Sequence, residues 1–131
     1  MGVVTLHDAG TERDDAPGAE GSLTIEGLPG YFRLFFQPEI DLASGRIVAC
    51  EALLRWWHPE YGLLRPGASL HETRWSGRLG GIEQWAIDAA CRQAASWERA
   101  GHPLLVAINV SRRLLRDPGF PQLVSTALSG S

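Results

Sequence analysis

The chain has 131 residues, 44% of them hydrophobic and 21% charged, with a formal net charge of -3, which is the composition of one soluble globular domain. No apolar run reaches the roughly 18 residues that a membrane span needs, and the N-terminus lacks the basic start and apolar stretch of a secretory signal. A cytoplasmic protein without a membrane partner is expected. The cysteines, Cys50 and Cys91, are too few and too widely spaced for a disulfide framework or a metal clip, and read as buried free thiols.

Charge is unevenly spread. Residues 1–20 hold Asp8, Glu12, Asp14, Asp15 and Glu20 against Arg13 alone, among Gly, Ala and Pro. Such a stretch lacks the apolar surface to order itself, so the expected organisation is a disordered acidic tail over residues 1–22 and a single domain over 23–131. From Gly21 onward acidic residues and arginines nearly balance, which argues against an electrostatic groove for DNA or RNA. Every basic residue is arginine; the chain contains no lysine.

In chain order, Tyr31 to Leu42 is rich in aromatic and β-prone residues, and Ala43 to Gly45 supplies a tight turn. Ile47 to Trp57 mixes helix formers with strand formers, and Glu51 and Arg55 have the spacing of a helical ion pair. Gly45 before it and Pro59 after it favour a strand, in which Val48, Cys50, Ala52, Leu54 and Trp56 form an apolar face and Glu51 and Arg55 share the opposite one. Helical spacing of Ile82, Trp85, Ala86, Ala89, Gln93, Ala94 and Trp97 predicts a helix over 81–99, ended by Gly101 and Pro103. Pro103 to Ser111 then reads as a parallel strand covered on both faces. Ser111 is placed to cap a short helical turn through Leu115, and Asp117 with Pro118 to start a last helix reaching about Leu128. The fold class is α/β, with a β-α-β unit in its middle.

Ligands of parallel α/β folds gather at the carboxyl ends of strands, so Glu51, Arg55 and Asn109 are candidates to converge. A carboxylate and a carboxamide suit a hard cation such as Mg²⁺ or Mn²⁺, and an adjacent guanidinium suits a phosphate. The alternative is structural: a partly solvated Glu51–Arg55 contact beside an Asn that caps the following turn. The histidines show no metal-ligand spacing. Trp56 belongs to the apolar face, whereas Trp57 is open to stacking on a base. Arg112 and Arg113 follow the Asn109 strand end and read as solvated surface that could approach an anion.

The segment FFQPEIDLASGRIVACEALLRWWHPEYGLLRP resembles the opening of the EAL domain, the bacterial family that hydrolyses cyclic di-GMP to the linear dinucleotide. Further matches are Trp85, the run ACRQAASW from Ala90 to Trp97, and the Asn-x-Ser strand end from Asn109 to Ser111. The resemblance implies a modified TIM-like (β/α) barrel whose first strand is antiparallel to its neighbour. It implies Glu51 and Asn109 as divalent-metal ligands, and Gln37 and Arg55 as contacts to the dinucleotide, Arg55 on a phosphate. Two departures accompany it. Ser69, Thr73 and Arg74 replace the family's Phe and Ala-Glu residues around Gly77. Ser131 also falls after what would be the third strand and its helix, whereas a complete barrel takes about 250 residues.

The family's remaining carboxylates, its DDFGTG motif and its catalytic lysine have no counterpart here. The expectation is therefore a truncated EAL domain, inactive alone, holding Mg²⁺ or Mn²⁺ weakly if at all. Its role would lie in cyclic di-GMP signalling as a module that binds the dinucleotide weakly or associates with a protein partner or with itself. The alternatives are a phosphodiesterase completed by a separate C-terminal half, and a gene remnant.

Overall fold

The computed structural model describes residues 3–5, 21–65 and 79–131; the departures at Ser69, Thr73, Arg74 and Gly77 lie outside them, as do His7 and His71. The strands are β1 (Val3–Thr5), β2 (Ser22–Leu23), β3 (Tyr31–Asp41), β4 (Ile47–His58), β5 (Gly62–Leu64) and β6 (Leu105–Ile108), and the helices are α1 (Leu79–Arg99), α2 (Arg112–Leu115) and α3 (Phe120–Ser129). They form one mixed sheet: β1 and β2 pair with β3, β3 runs antiparallel to β4, and β4 pairs with both β5 and β6. Among the described residues, the β4–β6 pair alone is parallel. Of the expected acidic tail, Val3–Thr5 pairs with Glu39–Asp41 and Ser22–Leu23 with Phe32 and Arg33.

The β3–β4 hairpin is long because its turn is closed by its own side chains. Asp41 accepts from Ala43 N and Ser44 N at 3.2 Å each and from Ser44 Oγ at 2.6 Å, an Asx-type turn, and Gly45 takes the left-handed φ of +69° that follows. These bonds, Ser44 Oγ first, hold the Asp41 carboxyl below the usual carboxylate range. At the other end, Gly30 sits at φ +82°, where a Cβ would lie 1.8 Å from the Trp57 carbonyl oxygen. Glycine is required there by both torsion and space.

Alternation on β3 and β4 gives the sheet two unlike faces. Phe32, Leu54 and Trp56 point to one side and pack with Leu28, Ile82 and Trp85, with Phe32 and Trp56 stacked at 5.6 Å. Trp56 is only 5% exposed, and its indole N–H donates to the Pro29 carbonyl at 2.8 Å, so the packing role expected for it holds. Phe36 meets Trp97 of α1 edge-on at 5.0 Å. A second cluster joins Ile87, Leu114 and Ala127, uniting α1 with α2 and α3. Cys50 is buried, but Cys91 is only half-buried.

The helix boundaries follow local chemistry. α1 ends in a Schellman motif, with His102 N donating to Trp97 O and Gly101 N to Glu98 O, at a Gly101 φ of +84°. Ser111 caps α2 as expected, its Oγ accepting from Leu114 N at 3.1 Å. The last helix departs from expectation: it starts at Phe120, with Gly119 as its N-cap. Asp117 Oδ1 instead accepts from Gly119 N at 2.7 Å, closing a turn over Pro118 before the helix begins.

Strand β6 is the other correction. It was expected to be covered on both faces, yet Leu105 is 76% exposed and Ala107 is exposed as well. Among the described residues its only sheet neighbour is β4, and α1 covers one side only. Short parallel strands read as continuous apolar runs whether or not both faces are covered within the same segment of chain.

Candidate functional site

The face away from α1 carries Arg33, Phe35 and Gln37 on β3, and Ala49, Glu51, Leu53 and Arg55 on β4. Gln37 lies opposite Glu51 in the register, Glu51 lies beside Ala107 of β6, and Asn109 follows β6 on the same parity. Three adjacent strands therefore bring together residues 37, 51 and 109. Asn109 Nδ2 donates to Glu51 Oε1 at 2.8 Å, across a sequence separation of 58 residues. Gln37 is 9% exposed, Glu51 is half-buried and Asn109 is exposed, so the pair opens to solvent on one side. Among the described residues, Glu51 Oε2 and Asn109 Oδ1 take part in no other hydrogen bond.

Arg55 stands apart from this pair. It shares the face with Glu51, but four residues of extended strand place the two Cα atoms about 13 Å apart. Its Nη1 donates to the Leu54 carbonyl at 2.9 Å. Burial, then the charge of Arg65, pull its pKa below the ordinary arginine value, while Glu51 opposes them; it remains a cation. The structure thus joins Glu51 with Asn109 and Gln37, and sets Arg55 at the other end of the same face.

Two neighbours escaped the sequence reading. Arg33 is the cross-strand partner of Arg55, and its parity with Gln37 on β3 was the available signal. Glu83 of α1 accepts from Ser111 N at 2.8 Å through Oε1; no periodicity marks it. Trp57 lies parallel to Tyr31 with ring centroids 6.3 Å apart. His58 is structural: its Nδ1 accepts from Glu60 N and Tyr61 N at 3.1 and 3.3 Å, and its ring stacks on Tyr61. Arg113 is 64% exposed, with Nη2 3.8 Å from Glu83 Oε2.

Chemically, the joined residues offer hard oxygen donors bearing one negative charge. Among the described residues there is no group of three or more His, Cys, Asp or Glu side chains that could hold a metal. A separate groove of about 670 Å³ lies between α1, β6 and α3, lined by apolar residues including Val48, Cys91, Val106, Phe120 and Leu128. No helix among the described residues is long and apolar enough to cross a membrane.

The EAL domain family matches residues 28–131. An uncharacterized protein of Mycobacterium tuberculosis is 39% identical over 98 residues, which cover 73% of this chain and 16% of that protein. The bifunctional diguanylate cyclase/cyclic di-GMP phosphodiesterase MucR of Pseudomonas aeruginosa is 36% identical over 96 residues, covering 72% of this chain and 14% of its own. A solved structure of the MucR phosphodiesterase in complex with c-di-GMP superposes with a TM-score of 0.70 at 35% identity, over 76% of this chain and 40% of that one. The chain therefore spans well under half the length of these relatives. A family match over residues 28–131, together with the antiparallel β3–β4 opening, makes the chain a member of the EAL domain family, related to cyclic di-GMP phosphodiesterases.

Proposed function

We propose that this chain supplies the N-terminal section of an EAL-type barrel, with the part of the site that holds one divalent cation and one phosphate of cyclic di-GMP. The 2.8 Å bond between Asn109 and Glu51 carries this reading, because it aligns a carboxylate and a carboxamide whose other oxygens have no hydrogen-bond partner among the described residues. The donor set fits Mg²⁺ or Mn²⁺: both atoms are hard oxygens, with no nitrogen or sulfur among them. Glu51 and Asn109 would hold the ion, Gln37 would contact the dinucleotide, and Arg55 would meet a phosphate. When bound, such an ion polarises phosphoryl oxygens and lowers the pKa of water.

Left to itself the chain binds weakly and does not turn substrate over. Mg²⁺ takes near-octahedral oxygen coordination, and Glu51 and Asn109 provide a single negative charge between them. No lysine exists in the chain to serve as a further cationic group. Arg55 still confers phosphate recognition, since its guanidinium stays charged through the working pH range. The exposed Leu105 on β6 and the apolar groove beside it support association with a further polypeptide strand.

The test is titration of the purified chain with cyclic di-GMP in the presence of Mn²⁺, followed by analysis for linear dinucleotide. Weak binding that Arg55→Ala diminishes, with no product, agrees with the proposal. Steady, chelator-sensitive cleavage by the chain alone would overturn its inactivity. Equal affinity of wild type and Arg55→Ala removes Arg55 from the site. If a complementary C-terminal fragment restores hydrolysis that Glu51→Ala then abolishes, the partner is the rest of the barrel.

A further inference from the structure

We propose that Glu83 is a positioning residue for the Glu51–Asn109 pair, gripping the backbone of Ser111 and so setting the strand end from which Asn109 reaches Glu51. The proposal deepens the cation reading and rests on it for its functional meaning, but its geometry stands independently. The β4–β6 register ends at Ala52 opposite Ile108, so Asn109, Val110 and Ser111 lie beyond the ladder. A backbone N–H at that point needs a partner from elsewhere. Glu83 provides it from α1, accepting from Ser111 N at 2.8 Å. Asn109 is thereby held between two fixed points: the last ladder pair at Ile108 and the anchored amide at Ser111.

The arrangement carries a cost that packing does not explain. The Glu83 side chain is 16% exposed, and its Oε2 is buried without a hydrogen-bond partner among the described residues, with Arg113 Nη2 3.8 Å away. A buried carboxylate with an unsatisfied oxygen opposes folding. An apolar residue there would relieve the cost and lose the Ser111 contact together with the long approach to Arg113. Ser111 is two residues from Asn109, at most about 7 Å of extended backbone. A shift of about 1 Å at Ser111 would carry Asn109 Nδ2 out of hydrogen-bond range of Glu51. Ser111 Oγ does separate work, capping α2 through Leu114 N.

The experiment reads the pair both without and with metal, using the full chain. The side-chain amide resonances of Asn109, recorded in metal-free protein, report its bond to Glu51; Mn²⁺ titration, followed by paramagnetic broadening at Glu51 and Asn109, reports the site. Glu83→Leu should move the Asn109 resonances and weaken Mn²⁺ binding by about 10–100-fold, the usual effect of losing an outer partner of a ligand, while the thermal transition persists. Glu83→Gln, which keeps an oxygen acceptor, should restore most of both signals. Ser111→Pro removes the same N–H from the other side at a φ of -70° that proline accepts. It should lose more than Ser111→Ala, which removes only the cap.

Asn109 resonances in Glu83→Leu and Ser111→Pro that coincide with wild type would overturn the proposal. Should Glu83→Leu not fold, the Ser111→Pro and Ser111→Ala comparison decides it. If wild type shows no Mn²⁺ broadening while Glu83→Leu still moves the Asn109 resonances, the cation reading fails and the positioning role of Glu83 stands.

Discussion

Asn109→Asp is the most informative single change, because it replaces a donor with an acceptor at a known distance. Asn109 Nδ2 lies 2.8 Å from Glu51 Oε1, so the variant sets two carboxylates at that separation. The contact is open to solvent, and a water-like dielectric gives about 1.5 kcal/mol of repulsion. Loss of the hydrogen bond adds about 1 kcal/mol. Together these lower the melting temperature by roughly 10 °C for a chain of this size at neutral pH with chelator present. The sign of the pH dependence follows. Repulsion raises a carboxyl pKa of the pair in the folded state above its unfolded value near 4. The folded state then binds more protons, and the penalty is relieved as pH falls through that raised pKa. Divalent cation acts in the same direction: Mn²⁺ at a hundredfold excess over its dissociation constant returns about 2.7 kcal/mol. Calorimetry of wild type and variant at several pH values, with chelator or Mn²⁺, measures all three effects. A variant that melts with wild type in chelator, with no response to pH or Mn²⁺, would show that the two side chains do not face each other.

Gly30→Ala should cost about 2–5 kcal/mol in urea denaturation, from a left-handed torsion and a Cβ forced onto the Trp57 carbonyl; a small change would place Gly30 elsewhere. Trp56→Phe keeps most of the stack with Phe32 but leaves the Pro29 carbonyl without its 2.8 Å donor, and about 1–3 kcal/mol should be lost in the same assay. The Asp41 carboxyl, held low by Ser44 first and by the Ala43 amide next, should titrate in NMR below the model-peptide value of about 3.9. The turn's contribution is complete above that value and lost as pH falls through the lower, folded one. In Ser44→Ala the carboxyl should move back up, and an unchanged titration would show that Ser44 does not set it.

What the sequence disclosed depended on how local the governing interaction was. The β3–β4 hairpin was legible because Asp41, Ser44 and Gly45 close their own turn, and alternation assigned Trp56 to the core and Glu51 to the opposite face. The Ser111 cap and the Gly101 terminator were legible for the same reason: each acts within five residues. The start of α3 was misplaced because Asp117 has two uses, capping a helix or closing a turn onto Gly119, and composition does not choose between them. Ile87, buried at 4% exposure, escaped the helical stripe because its partners lie on α2 and α3, beyond the reach of any window on α1. The convergence of Glu51 and Asn109 came from the resemblance and from the rule about strand ends. The Glu83–Ser111 contact joins a helix to a loop 28 residues away, with no period or motif to announce it.

The helix-like spacing of Glu51 and Arg55 finally explains why this face is not neutral. Had the segment been helical, the two charges would have met and cancelled. As a strand it separates them by about 13 Å and puts Arg55 opposite Arg33 in the register, where the Arg33 guanidinium lies over the Tyr31 ring at 5.9 Å. The like charge that acts on Arg55 is Arg65. One end of the face therefore carries Arg55 and Arg33, while the other presents the Glu51 carboxylate. Under the proposed reading, in which Arg55 meets a phosphate, Arg33→Glu sets a carboxylate opposite it in the register and should weaken cyclic di-GMP binding; unchanged affinity in a titration would remove this rationale.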